Sequence, residues 1–413
     1  MTSQIVLINQ EGIAIASDTM TSLHIENVRK TRSSEGKIFE LGGDHRVVVM
    51  HNGSVAIDSV LVKTLIREWS RQIEFPFPRL IDYVENFDQW LVRGIQGFRL
   101  SEHRMLKKAI EEELRRFLQR DLANLQKEGR VRTLLNVHCE GVNSEKDDRE
   151  LSERLAVALA AYQSKYISSE SVPKYPDLTS RKAGKLIKGA GIDVTQVLSD
   201  VVSENFRTSI RIEPTATLQM TLLDFCSSLL ARRMPMDEET SSAQLNFVGF
   251  GTEELMGGLV SIDVRSLYAG RLRGVIGERQ PSDPDFLGAS VFPLAQKRAM
   301  NFILDGLDKV TEVAVLEAVE LVLNAQGKLG EGQSKKIGAC VVEKLRETRR
   351  ERIAKPVRST LSGLNLNALI KHAEALVQTE TLRAATREVS PTVGGPVEVV
   401  SISRWQKPGV QWH

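Results

Sequence analysis

The chain has 413 residues, 41% hydrophobic and 26% charged, with a formal net charge of +2. That is ample apolar material for a core, and no global charge that would draw it to nucleic acid or an anionic membrane. Its three cysteines, Cys139, Cys226 and Cys340, are odd in number and widely spaced, which argues for reduced thiols and against a disulfide frame.

No basic segment followed by an apolar run opens the chain, and no apolar stretch approaches the ~18 residues needed to span a bilayer. The expectation is a cytoplasmic protein without nucleic-acid or membrane partners. Residues 4–8 (QIVLI) and 13–17 (IAIAS) are short and apolar, and the polar tetrapeptide Asn9-Gln10-Glu11-Gly12 between them predicts a hairpin. A second strand pair, KIFEL (37–41) and RVVVM (46–50), flanks Gly42-Gly43-Asp44-His45. Beyond His51-Asn52-Gly53-Ser54, the positions Val55, Ile57, Leu61, Leu65, Ile66 and Trp69 follow helical spacing, with Ser54 as the N-cap.

Residues 79–128 predict highly charged helices. Residues 131–240 mix a strand at RTLLNVHCEGV with helices such as ELSERLAVALAAYQ and TATLQMTLLDFCSSLLARR. Strand character returns at QLNFVGFG (244–251) and GGLVSIDV (257–264). A loop over Gln280–Gly288 leads into helices through about residue 354, then one more helix, LNALIKHAEALVQTETLRAATRE, and a final strand, VEVVSISR. Strands at both ends with helices between them predict one α+β core. Its halves are residues 1–74 and 241–413, with a mainly helical insertion over 75–240.

The chemistry concentrates at the start. With Met1 removed, Thr2 carries a hydroxyl nucleophile and a free α-amine of pKa near ~7.7–8, able to act as base on its own hydroxyl. Such a residue needs a cation, a carboxylate to hold it and a backbone N–H for the oxyanion. Asp18 closes the strand antiparallel to Thr2, Lys37 opens the third strand, and Gly53 sits in a predicted strand-to-helix turn, where the helix dipole favours an anion.

The order Thr2, GIAIASD, GKIFEL and HNGSVAID resembles the proteasome β-subunit family and its simpler bacterial relatives, which are N-terminal nucleophile hydrolases. The length is similar to that of larger bacterial proteins with this N-terminal pattern. The resemblance implies a four-layer αββα sandwich, with Thr2 as nucleophile and base, Asp18 and Lys37 as its supporting pair and Gly53 as oxyanion donor. Lys30 is the competing lysine. LGASVFPLAQKR resembles the family's small-residue turn into a helix and makes Ser290 a candidate hydroxyl. In REVSPTVGGPVEVVSI the family's aspartate falls on Ser390, with Glu388 two residues earlier.

Each of these residues also has a plainer reading: Asp18 as a strand-end turn residue, Lys37 as a solvated strand entry, Gly53 as a turn. Ser22, His51 and Val55 are placed to line a substrate pocket, with a structural role as the alternative for His51. The seven histidines form no metal motif, and neither metal nor organic cofactor is expected. The runs Arg115-Arg116 and Arg346–Arg352 are interleaved with glutamates and read as solvated, ion-paired helix faces. The expectation is a threonine-type hydrolase acting on peptide or protein substrates, assembled as a homo-oligomer, with an ATPase as a further partner to consider. The alternatives are a silent scaffold of the same fold, or an amidase acting on other amides.

Overall fold

The computed structural model describes residues 2–25, 28–33, 36–57, 60–93, 102–127, 144–164, 175, 178–206, 212, 215–232, 242–268, 271–277, 280–281, 288–306, 309–325, 331–387, 393–406 and 409–413. Fifteen strands are described. They are β1 (Ser3–Ile8), β2 (Ile13–Asp18), β3 (Met20–Ile25), β4 (Val28–Ser33), β5 (Ile38–Glu40), β6 (Arg46–Gly53), β7 (Ala56–Ile57), β8 (Val60–Leu61), β9 (Ala243–Phe250), β10 (Gly258–Tyr268), β11 (Arg271–Ile276), β12 (Gln280–Pro281), β13 (Ser290–Ala295), β14 (Val397–Ile402) and β15 (Val410–Trp412). The helices are α1 (Val62–Ser70), α2 (Leu80–Arg93), α3 (Glu102–Lys127), α4 (Glu145–Tyr162), α5 (Ser180–Gly189), α6 (Val194–Phe206), α7 (Ala216–Leu230), α8 (Arg298–Asp305), α9 (Lys309–Ala325), α10 (Glu331–Arg349), α11 (Lys355–Ser362) and α12 (Leu366–Arg387). A π-helical turn, Arg350–Ala354, joins α10 to α11.

The molecule is α+β, with antiparallel sheets. One sheet has the order β13-β1-β2-β14-β15 and the other β11-β10-β9-β6-β5, so strands from before and after the helical segment share each sheet. Alternation along the strands divides their side chains between cores. Val6 and Ile8 of β1, Ile13 and Ile15 of β2, Val48 and Met50 of β6, Val248 and Phe250 of β9 and Val400 and Ile402 of β14 meet in one cluster shared by the two sheets. The intervening Ile5, Leu7, Ala14 and Ala16 pack with Leu369, Ala373 and Val377 of α12. Val47, Val49, Leu245 and Phe247 pack with Trp69 of α1 and Tyr83 and Phe87 of α2. With both faces buried, a strand such as QIVLI needs a continuous apolar run, which is how it reads in the sequence.

Helices α3 to α7 form a further core around Phe117, Tyr162 and Phe225. It joins the second sheet through charge. Arg273 of β11 is fully buried and its guanidinium pairs with Glu113 of α3, which also accepts from Arg116 at 2.7 Å; the Tyr175 hydroxyl donates to the Leu272 carbonyl at 2.7 Å. Burial lowers the pKa of both Arg116 and Arg265, the latter to about 10, and each is lowered further by its neighbouring arginine Arg273.

Several expectations need correction. The helix expected from Ser54 begins at Val62; Leu61 is its N-cap and makes no side-chain cap bond, while the Ser54 hydroxyl donates to the Ala56 carbonyl at 2.8 Å. Ala56–Ile57 and Val60–Leu61 instead form the small β7–β8 pair, because Val55 and Ile57 fit a period of two as well as one of 3.6. Within LGASVFPLAQKR, Ser290–Ala295 form an edge strand, β13, where Pro293 is tolerated. The hairpin β3–β4 and strand β11 were not foreseen. The strand expected around 132–142 lies outside the described residues. Among the described residues, no helix is long and apolar enough to cross a membrane.

Glu113→Ala removes the carboxylate shared by the buried Arg273 and the half-buried Arg116. It should lower stability by about 3–5 kcal/mol in urea unfolding, and a loss below about 1 kcal/mol would show that the arginines are satisfied without it.

Candidate active site

The layer shared by the two sheets changes character at one end. Along β1 its inward positions run Ile8, Val6, Gln4, so alternation puts Thr2 on the same side as Gln4. The Gln4 amide donates to Ser17 Oγ at 3.2 Å and to the His51 carbonyl at 3.1 Å, tying β1 to β6 across the gap. Asn52 donates to Gln244 Oε1 at 3.0 Å. A hydrocarbon layer thus ends in side-chain amides, and Thr2 lies at that polar end, 8% exposed.

Asp18 is fully buried at the end of β2. Its Oδ1 accepts from the Ser3 amide at 2.8 Å and from Lys37 Nζ at 2.7 Å, and its Oδ2 accepts from the Gly394 amide at 3.1 Å. Lys37 is 5% exposed and its ammonium also donates to the Met20 carbonyl at 2.7 Å. An ammonium has three donors, so one N–H is left for another group. Burial pulls the Lys37 pKa below its ordinary value, opposed by Asp18 and, more weakly, Glu398. The Lys37 backbone is fixed as well: its amide donates to Glu398 Oε2 at 3.3 Å and its carbonyl accepts from the His51 amide at 2.9 Å.

Thr2 is held at its carbonyl, which accepts from the Gln296 amide at 2.8 Å. Beside it, Ala295 has φ +58°, the left-handed region that a residue with Cβ occupies only under constraint. Gly53 ends β6 with φ +82°, and a Cβ there would collide with the Ser242 carbonyl, so the position requires glycine. The next amide, Ser54, donates to that same carbonyl at 2.8 Å.

His51 Nε2 lies 2.6 Å from the Ser54 carbonyl, which can only accept, so that nitrogen carries the proton. Burial lowers the pKa of His51, and the nearby Lys37 charge lowers it further. A neutral His51 therefore ties down the turn after Gly53, which is the structural role left open for it.

The structure brings together Asp18, Lys37 and the amide following Thr2, with His51 and Gly53 at the end of the neighbouring strand. Gly53 is not at a helix N-terminus, since α1 begins nine residues later, so a dipole contribution there is withdrawn. Ser290 pairs with Ile8, at the far end of β1, roughly 20 Å from Thr2 at strand rise; its candidacy is withdrawn. The turn beside Thr2 is Ala295-Gln296, which offers backbone and no hydroxyl. Ser22 pairs with Thr31 on β3–β4 and Lys30 lies opposite Leu23 on the same hairpin, but both side chains, and Ser390 and Glu388 entirely, fall outside the described residues. Val55 is 37% exposed, and its carbonyl accepts from the first amide of α1 at 3.0 Å. Among the described residues, no three His, Cys, Asp or Glu side chains converge as a metal site.

Sequence reasoning missed Glu398 and Gly394, which support Lys37 and Asp18 from more than 350 residues away. The glycine pair Gly394-Gly395 was the one signal pointing there. No known protein family matches the chain, and no curated protein matches it.

A lowered histidine pKa means the unfolded chain takes up its proton first as pH falls. Stability from a neutral buried His51 is full above its unfolded pKa of about 6.5 and declines as pH drops below that. His45, also lowered mainly by burial, adds to the same acid-side slope. His51→Gln, which keeps a donor for Ser54, should flatten the slope of unfolding free energy between pH 7 and 5 by up to about 1.4 kcal/mol per pH unit. An unchanged slope would mean that His51 is protonated in the folded protein.

Proposed function

We propose that this protein is an N-terminal threonine hydrolase that cleaves amide bonds, with peptides as its substrates. The observation that carries the reading is the buried Lys37–Asp18 ion pair, whose shared oxygen also takes the amide directly after Thr2. A buried ion pair is weak evidence for stability, and this one is aimed at the one residue that could present both a hydroxyl and an α-amine. Two sheets with a common apolar layer and helices against their outer faces support an αββα arrangement of the N-terminal nucleophile type, as the sequence order suggested.

In this reading Met1 is removed and the Thr2 amine takes the proton from its own Oγ as Oγ attacks the substrate carbonyl. The negative charge on the carbonyl oxygen is met by the Gly53 N–H. Collapse breaks the C–N bond, the protonated Thr2 amine returns its proton to the departing amine, and an ester to Thr2 remains. Water, deprotonated by the same amine, releases the acid. The Lys37 ammonium lowers the pKa of the neighbouring amine by like-charge proximity and, with its remaining N–H, restrains the threonine hydroxyl; Asp18 holds Lys37 in place. Assembly of several copies and an ATPase partner belong to the same proposal.

The test is intact mass before and after a threonine-directed electrophile. The expected result is a chain lighter by one methionine, one adduct on wild type, none on Thr2→Ala, and labelling slowed about 10²-fold or more by Lys37→Ala, with Lys30→Ala milder. Full retention of Met1 in the native host, or an adduct on Thr2→Ala, would refute the enzyme and favour a silent scaffold.

A further inference from the structure

The arginines of the second half do not all behave as a solvated, ion-paired face. A cleft of about 340 Å³ is lined by Asp305 at the end of α8, Arg346 and Arg349 of α10, Arg350 and Ala354 of the π turn, and Arg358 of α11. Arg346 and Arg349 are already ion-paired: both pair with Glu312 of α9, Arg349 at 3.1 Å, Arg346 also pairs with Glu343 at 3.4 Å, and Arg349 Nε donates to the Asp305 carbonyl at 2.8 Å. Those two arginines hold the Glu312 carboxyl below its usual range, so its charge is committed to them. Arg350 and Arg358 have no carboxylate partner among the described residues, and both are exposed to the cleft.

The spacing explains why they converge. Residues 346, 350, 354 and 358 are four apart. In a regular α-helix each such step drifts about 40° around the axis, so the first and last would lie about 120° apart. A π turn holds more residues per turn than an α turn, which takes up that drift. The five-residue π turn sits in the middle of the row, and all four positions line one cleft. Ala354, the small residue of the row, leaves room where a fifth long side chain would fill it. The turn is wedged in position: Gly306, in the left-handed conformation after α8, packs so closely that a Cβ there would collide with Ile353.

We propose that this cleft binds a phosphoanion carrying two or more linked phosphates, with Arg350 and Arg358 as its principal ligands and Arg346 and Arg349 as an ion-paired wall. Planar guanidinium forks match phosphate oxygens two at a time. Two unpaired guanidiniums are enough for a diphosphate, and the volume is in the range that encloses a nucleotide-sized molecule. The site is built from residues that take no part in the Thr2 chemistry.

Calorimetric titration of the full-length protein with inorganic pyrophosphate and, separately, with ATP tests this. Saturable one-to-one binding of either is expected, weakened roughly tenfold or more in Arg350→Gln/Arg358→Gln and little changed in Arg352→Gln, a neighbour on the same turn that does not line the cleft. ATP binding much tighter than pyrophosphate would identify a nucleotide site, and equal binding a site for the phosphates alone. Three results would overturn the proposal: no saturable binding of either probe, equal weakening by Arg352→Gln, or binding of an acidic peptide while both phosphate probes fail. A circular dichroism spectrum of the double variant matching wild type keeps a loss of binding from being a loss of fold.

Discussion

Everything at the polar end of the molecule depends on one carboxylate. Asp18 is completely buried, and its two oxygens collect donors from three distant parts of the chain: the Ser3 amide, the Lys37 ammonium and the Gly394 amide. A buried ionised carboxylate is tolerated only when its lone pairs are taken. The need to satisfy Asp18 therefore fixes where the chain's start, the third sheet-forming segment and the approach to the last long strand must sit. Removing any one donor would leave a charge with no water to replace it.

The lysine carries the opposite constraint. Burial works against its charge and Asp18 works for it, with Glu398 adding support from β14. That balance leaves a cation poised in a low-dielectric pocket, where its field is little screened. The buried amides of Gln4 and Asn52, with the half-buried Gln244, let such a charged group exist beside an apolar layer. They turn the end of the layer polar, Gln4 bonding the His51 carbonyl and Asn52 bonding Gln244.

Much of this was legible in the first sixty residues. The continuous apolar runs of β1, β2 and β6 announce strands buried on both faces, Asp18 stands where β2 ends and Lys37 just before β5 begins. The elements that escaped lacked such a signal. Among the described residues the hairpin β3–β4 pairs only with itself, and its sequence is mostly polar. Val55 and Ile57 satisfied two periods at once, which moved a helix start by seven residues. Pro293 and the small residues before it disguised an edge strand as a turn, which led to Ser290 being placed near Thr2. Glu398 could not be read at all, and Gly394 only as half of a glycine pair, because sequence distance hides what antiparallel pairing of β14 with β2 brings together. The arginine row was visible as a pattern, but its convergence depended on a π turn that no residue type announces.

The central claim is that the buried Lys37–Asp18 pair tunes the amine of Thr2. The most direct measurement is the pH dependence of Thr2 modification in wild type and in Lys37→Met. With Met1 removed, the account requires a wild-type midpoint below the ordinary amine value of about 7.7, rising toward or past that value in the variant as modification slows. Equal midpoints in the two proteins, with modification persisting in both, would contradict it: Lys37 would then be a structural lysine and the pair an incidental feature of the fold.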